Sequence, residues 1–187
     1  MKYYVLNKPY GVLSQFTSED GKKTLAGLYN FPPKVYPAGR LDLDSEGLLL
    51  LTDDKSLTDY LLNPKNRHER EYYVQVEGIP TVEDLARLEK GIILGGKVTL
   101  QANSKIINDF LIEPRNPPIR YRKNIPETWI SVTLIEGRNR QVRKMTAAIG
   151  YPTLRLIRIR IKNLMLGDLK PGEVRELTKA EIDLLTF

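Results

Sequence analysis

Along this chain the spacing of apolar positions switches between two residues and about three and a half, and each switch marks an element. YYVL at 3–6 predicts a first strand, ended by the turn Asn7-Lys8-Pro9-Tyr10-Gly11. Residues 14–24 are polar and read as a loop; a short helix is expected over 25–28. The run GRLDLDSEGLLLLTDD (39–54) passes from an acidic loop straight into four leucines, then stops on Thr52 and two aspartates. So short an apolar run between turn residues fits a buried strand better than a helix. A helix follows over 55–62, closed by Asn63-Pro64. Over 71–77 the pattern alternates, with Tyr72, Val74 and Val76 on one face and Tyr73, Gln75 and Glu77 on the other, as in a half-buried strand.

The second half continues in the same way. Thr81 with Asp84 three residues on predicts a capped helix that Gly91 stops. Residues 92–94, Gly95-Gly96 and 97–102 carry a hairpin signal. Positions 114–127 hold four prolines among basic residues and read as an exposed insertion, because strands resume on both sides. A strand over 128–135, a helix over 139–149 ended by Gly150, and an alternating strand over 155–161 come next. Thr178 and Glu181 form a capping box for a last helix. Strands joined mostly by hairpins argue for an α+β protein with a largely antiparallel, mixed sheet, flanking helices and a central cleft. One domain over residues 1–187 is expected, at most divided into two lobes around that cleft.

Composition removes several chemistries. The chain has 187 residues and no cysteine, which excludes disulfides, thiolate nucleophiles and cysteine metal sites. No apolar stretch approaches a bilayer's thickness, and the N-terminus lacks the pattern of a signal peptide, so no membrane association and a cytoplasmic location are expected. The single histidine, His68, lies in the polar stretch NRHERE and is read as a solvated loop residue. No dinucleotide or P-loop fingerprint occurs. The net charge of +6 permits a polyanionic partner, and the distribution sharpens that: basic residues gather at 115–123 and 138–162, acids at 42–54 and 173–183.

Three constellations remain. Asp42 and Asp44 lie two apart and would face the same way if extended. They could be turn residues, ligands of a divalent cation, or include a nucleophile toward an electrophilic carbon; their spacing does not choose. EGRNRQVRKM (136–145) clusters Arg138, Arg140, Arg143 and Lys144 at a strand-to-helix junction, with Val142, Met145 and Ile149 as the buried side. Arg143 adjoins that side and could be partly buried beside a carboxylate or phosphate; a solvated basic face is the other reading. In 156–162 the isoleucines share one face and Arg158, Arg160 and Lys162 the other, which suits the floor of a phosphate track as well as a plain solvated sheet face.

Taken in order, NKPYGVL (7–13), AGRLDLDSEGLLLLT (38–52), REYYVQV (70–76) and EGRNRQVRKM with LIRIRI (136–161) resemble the pseudouridine synthases that act on ribosomal RNA. The match covers most of the chain and is most like the short type acting on large-subunit RNA, which has no separate RNA-binding domain before the catalytic one. The resemblance implies isomerisation of a uridine to its C-glycoside without a cofactor or metal, with ribosomal RNA as the partner; nothing in the sequence requires more than a monomer. It puts the essential carboxylate on Asp42, the arginine that wedges into the RNA stack on Arg40, the ring that stacks on the flipped uracil on Tyr72, and the arginine that pairs with the aspartate on Arg143. Lys8, Arg138, Arg140, Arg158, Arg160, Arg120 and Arg122 are the expected RNA contacts. A non-catalytic RNA-binding or ribosome-assembly factor, and a metal-dependent glycosyl-transfer enzyme using Asp42 with Asp44, stand as the other readings.

Overall fold

The computed structural model describes residues 1–119 and 123–186. The run 46–52 becomes a strand with every residue buried, as its unbroken apolar stretch requires. It lies near the middle of a sheet of nine strands among the described residues. The seven principal strands are β1 (Tyr3–Lys8), β2 (Glu46–Thr52), β3 (Arg70–Glu77), β4 (Asn103–Ile106), β5 (Glu127–Leu134), β6 (Thr153–Ile161) and β7 (Val174–Glu176). Their order is β7-β1-β2-β6-β3-β5-β4, with short strands Tyr36–Pro37 on β2 and Leu164–Met165 on β6. Every pair is antiparallel except β2 with β6, where Ile157 faces Glu46 and Arg158 faces Gly47. That parallel seam joins the two halves of the sheet. It depends on Gly47: at φ +102° it takes a conformation L residues avoid, and any Cβ there would run into the Arg158 backbone.

Four helices cover the sheet: α1 (Lys55–Leu62), α2 (Val82–Lys90), α3 (Gln141–Ala148) and α4 (Lys179–Thr186). The caps follow the sequence signals. Asp54 accepts from the Leu57 amide at the start of α1, and Thr81 with Asp84 closes a full capping box on α2. The Gly95-Gly96 turn joins Ile93–Leu94 to Lys97–Val98, both glycines at positive φ. Leu85 and Leu88 of α2, Val142 and Met145 of α3, and Ile149 just after it pack onto Val74, Val76, Ile130 and Val132. A second core lies between α1, α4, β1 and β2 around Val5, Leu48, Leu50, Leu57 and Leu185. A third, on the other face of β1 and β2, gathers Tyr4, Leu6, Val12, Leu25, Val35, Leu49 and Leu51.

Two expectations give way. The 14–24 segment is not wholly a solvated loop, since Ser14 is buried, and Val12–Leu13 pairs with Lys23–Thr24. The basic face of β6 is not open either. β6 runs between β2 and β3 well inside the sheet, and its Arg155 and Arg158 are buried. Strands β4 and β7, at the two sheet edges, were not expected from the sequence.

Candidate active site

A cavity of about 630 Å³ opens where the 38–45 loop, the start of β3, the end of β5 and the residues leading into α3 converge. Arg40, Asp42, Tyr72, Arg138, Arg140 and Arg158 all contribute to its wall. Four distant stretches of sequence therefore meet around one space.

The acidic loop is bolted in place. The Gly11 amide of the first turn donates to the Leu43 carbonyl at 2.8 Å, and the Ser45 amide donates to the Asp42 carbonyl at 3.0 Å. Ser14 Oγ accepts from the Leu41 amide at 3.0 Å and donates to the Leu41 carbonyl at 2.8 Å. The residue between Arg40 and Asp42 is thus held from both sides by one buried hydroxyl. Sequence reading passed over Ser14 because a serine in a polar stretch carries no signal of its own. Asp42 is partly exposed toward the cavity, and Arg40 beside it is exposed.

Because 42–45 is a turn and not a strand, Asp42 and Asp44 do not sit as alternation would have them. Asp44 takes the arginines. Arg140 Nη1 and Nη2 donate one each to the two Asp44 carboxylate oxygens at 2.8 Å, and come no nearer than 3.8 Å to Asp42. Arg143 Nη2 donates to the Asp44 carbonyl at 2.6 Å, and its Nε lies 3.4 Å from Asp44 Oδ2. The ion pair expected between Arg143 and Asp42 is therefore formed with Asp44, although both carboxylates attract the Arg143 charge. Hydrogen bonds from Arg140 hold the Asp44 carboxyl below its usual range. Burial lowers the Arg143 pKa, with Asp44 and Asp42 opposing that shift. With both its oxygens gripped by Arg140, Asp44 is poorly placed to serve as half of a cation site.

Tyr72 is half-buried on β3, facing Arg158 on β6 and Val132 on β5, and its ring packs against two of the three cores. Arg158 is buried: its Nε donates to the Leu48 carbonyl at 2.8 Å, and burial pushes its pKa down. Arg160 is held by Glu71 at 2.8 Å and Glu69 at 3.0 Å. Neither arginine forms the open phosphate floor expected from the alternation: Arg160 is taken by carboxylates of the fold, and Arg158 is buried in the cavity wall with its Nη2 unpartnered. Lys8, another expected RNA contact, is wholly buried and donates to the carbonyls of Pro9 and Val12 at 3.1 and 2.7 Å. Burial lowers its pKa to about 8, with Glu46, Asp44 and Asp42 opposing. Arg138 spends its guanidinium on Glu136 and on the carbonyls of Lys97 and Val98, which ties the small hairpin to the cavity wall. His68 is partly exposed in its loop, as expected, but not free: it donates from Nε2 to the Tyr60 carbonyl and lies against the Tyr60 ring, centroids 4.5 Å apart. Arg120 and Arg122 lie outside the described residues.

The wall thus unites a carboxylate on a rigid turn, an aromatic ring and exposed guanidinium groups, as an enzyme handling an extruded nucleotide would need. Residues 2–148 match the family model described as RNA pseudouridylate synthase. The chain belongs to that family. It is 52% identical to a Vibrio parahaemolyticus protein named ribosomal large subunit pseudouridine synthase E, over 94% of this chain and 74% of that one. A Xanthomonas campestris protein of the same name is 50% identical, over 91% of this chain and 92% of its own length. Among solved structures, one titled crystal structure of pseudouridylate synthase superposes with a TM-score of 0.82 at 32% identity, covering 99% of this chain and 74% of that one. The α+β pseudouridine synthase fold expected from the motifs is the fold observed. Among the described residues, no helix is long and apolar enough to cross a membrane.

Proposed function

We propose that this RNA pseudouridylate synthase family member converts a uridine of large-subunit ribosomal RNA into pseudouridine, with Asp42 as the reacting carboxylate. The observation that carries the reading is the convergence of Asp42, Tyr72 and Arg40 on one cavity of nucleoside scale. The RNA class follows the names of the Vibrio and Xanthomonas relatives. A uracil stacked in a helix is out of reach, so the nucleotide must leave the stack, at a cost of a few kcal/mol. Arg40, exposed at the cavity wall, is suited to fill the vacated space, and Tyr72 offers a ring for the extruded base; each offsets part of that cost. Asp42 then acts at the nucleoside while Arg140 and Arg143 supply positive charge beside it. The N1–C1′ bond breaks, uracil turns within the cavity, C5 bonds to C1′, and the proton that leaves C5 is matched by one taken up at N1, so the product is an isomer of unchanged composition. Such a reaction consumes no oxidant, reductant or group donor, so we assign it no cofactor or metal.

The nine-stranded sheet that runs through β1 to β7 among the described residues supports one catalytic domain; the reading further takes the protein to act as a monomer, in the cytoplasm. The RNA track we favour is the exposed Arg40 with the partly exposed Arg138 and Arg140, since Lys8 and Arg158 are buried and Arg160 is held by Glu69 and Glu71. Asp42→Asn tests the central assignment. Pseudouridine formation on ribosomal RNA should vanish while RNA affinity stays within a few-fold, because the amide keeps the shape and loses only the charge. An RNA-binding factor would bind without ever isomerising, and an active Asp42→Asn enzyme would end the proposal.

A further inference from the structure

Arg158 differs from the other arginines of the cavity wall in what surrounds its charge. Arg138 and Arg140 each meet a carboxylate, Glu136 and Asp44. Arg158 is 4% exposed, donates from Nε to the Leu48 carbonyl, and leaves its Nη2 without a partner. The groups acting on its charge are Tyr72, which favours it, and Arg70, which opposes it; no carboxylate is among them. Arg70 opens β3, lines the same wall, and donates to the Leu61 carbonyl at 2.9 Å. A buried cation set near a second cation, with a donor left over, is costly to the fold. An acceptor that gathers negative charge during the reaction would give that arrangement a use. The place says which acceptor. Arg158 stands opposite Tyr72 across β6 and β3, and Tyr72 is the ring assigned to the extruded base. A flipped nucleotide sends its base deepest and leaves its phosphates toward the mouth, so a buried arginine beside Tyr72 meets the base.

We propose that Arg158 is a further catalytic residue: its guanidinium donates to a carbonyl oxygen of the extruded uracil and stabilises the negative charge of the detached base. The proposal rests on the reading of this cavity as the uridine site. When the N1–C1′ bond breaks, both its electrons stay with uracil, and the charge spreads from N1 onto O2 and O4. A fixed guanidinium at either oxygen stabilises that anion more than the neutral base, and does so most strongly where water is excluded. The turn that brings C5 to the former place of N1 is a half-turn about the line through N3 and C6, and it exchanges O2 with O4. A donor that faces one carbonyl before the turn therefore faces the other after it. C5 then bonds to C1′, the proton lost from C5 is matched by one gained at N1, and Arg158 keeps its own protons throughout.

The test varies the arginine and the leaving group together. Arg158→Met keeps the stem and removes the charge. On large-subunit ribosomal RNA its kcat should fall on the order of 100-fold, the loss typical of one removed oxyanion donor. KM should change by less than about threefold, because contacts to the phosphates hold the RNA. The same RNA is then transcribed with 5-fluorouridine in place of uridine. Fluorine makes the detached base a weaker base that needs less stabilisation, so the ratio of wild-type to variant rates should shrink at least about fivefold. Fluorine also stays on C5, so the new C5–C1′ bond is scored, by chromatography and mass spectrometry of the digested RNA. An arginine that only supports the fold slows both substrates by the same factor. A kcat loss under about tenfold on uridine, or a ratio unchanged by fluorine, overturns the proposal. Should Arg158→Met fail to fold, Arg158→Lys replaces it: the charge stays but the donors move, so kcat should fall about tenfold, and a ratio insensitive to fluorine again overturns the proposal. Asp42→Asn is assayed alongside. If it is active, the functional reading itself fails; if it is inactive while Arg158→Met is fully active, only the role of Arg158 fails.

Discussion

Two arginine–carboxylate pairs, whose acids stand two residues apart, have matching geometry and contrasting surroundings. Arg155 grips Glu46 through two hydrogen bonds of 2.8 Å, and Arg140 grips Asp44 through two of the same length. The side chains of the first pair are 6% and 5% exposed, and those of the second 41% and 30%. Identical bonds therefore do different things. The inner pair lies beside the parallel seam between β2 and β6, where an unpartnered charge would be left in a low-dielectric interior. The outer pair stands at the cavity wall, screened by water, where it adds little to folding. Burial, not bond length, separates a pair that supports the fold from one that serves the site.

The comparison can be pressed hardest at Glu46. Replacing it by Gln strands the Arg155 charge and should cost about 3–5 kcal/mol of folding stability in denaturant titrations. Replacing Glu46 and Arg155 together by apolar residues of similar volume should cost far less. Equal losses in the two experiments would mean that the pair itself, and not the stranded charge, is what matters.

Lys8 offers the next largest effect, since it is an inner cation with no carboxylate in direct contact among the described residues. Its pKa of about 8 in the fold lies below the ordinary 10.5, so between these values the unfolded chain holds a proton that the folded one has released. Below pH 8 the cost of burying the cation is fully present, and it is relieved as pH rises toward 10.5. Wild-type stability measured against Lys8→Met should therefore climb across that window, by about 3 kcal/mol at most. A difference that stays flat from pH 7.5 to 10.5 would show that the buried ammonium is not strained by desolvation.

Arg140→Gln should have the smallest effect on folding, under about 1 kcal/mol, because its pair is half in water. Loss of stability comparable to that of Glu46→Gln would erase the distinction between the two pairs.

Much of the fold could be read from local patterns. The leucine strand, the capped helices and the Gly-Gly hairpin rest on interactions within a few residues of each other, so the chain announces them. The edge strands β4 and β7 could not be read, because what makes them strands is a neighbour, β5 or β1, far away in sequence. The arginines of β6 show the same limit. Their alternation with isoleucine was visible, but whether the charged face met water depended on what lay across it. Ser14 is silent for a related reason: its importance comes wholly from Leu41, 27 residues away.

The amino-acid sequence alone determined that this chain would form an α+β sheet protein, and its motifs singled out the acidic turn and the arginine-rich helix start, since periodicity, caps and turns are local. Only the tertiary structure decided which charges are inside, and which aspartate the arginines hold. Those depend on competition among groups brought together from β1, β2, β6 and α3, and a buried charge takes whichever partner the fold places nearest.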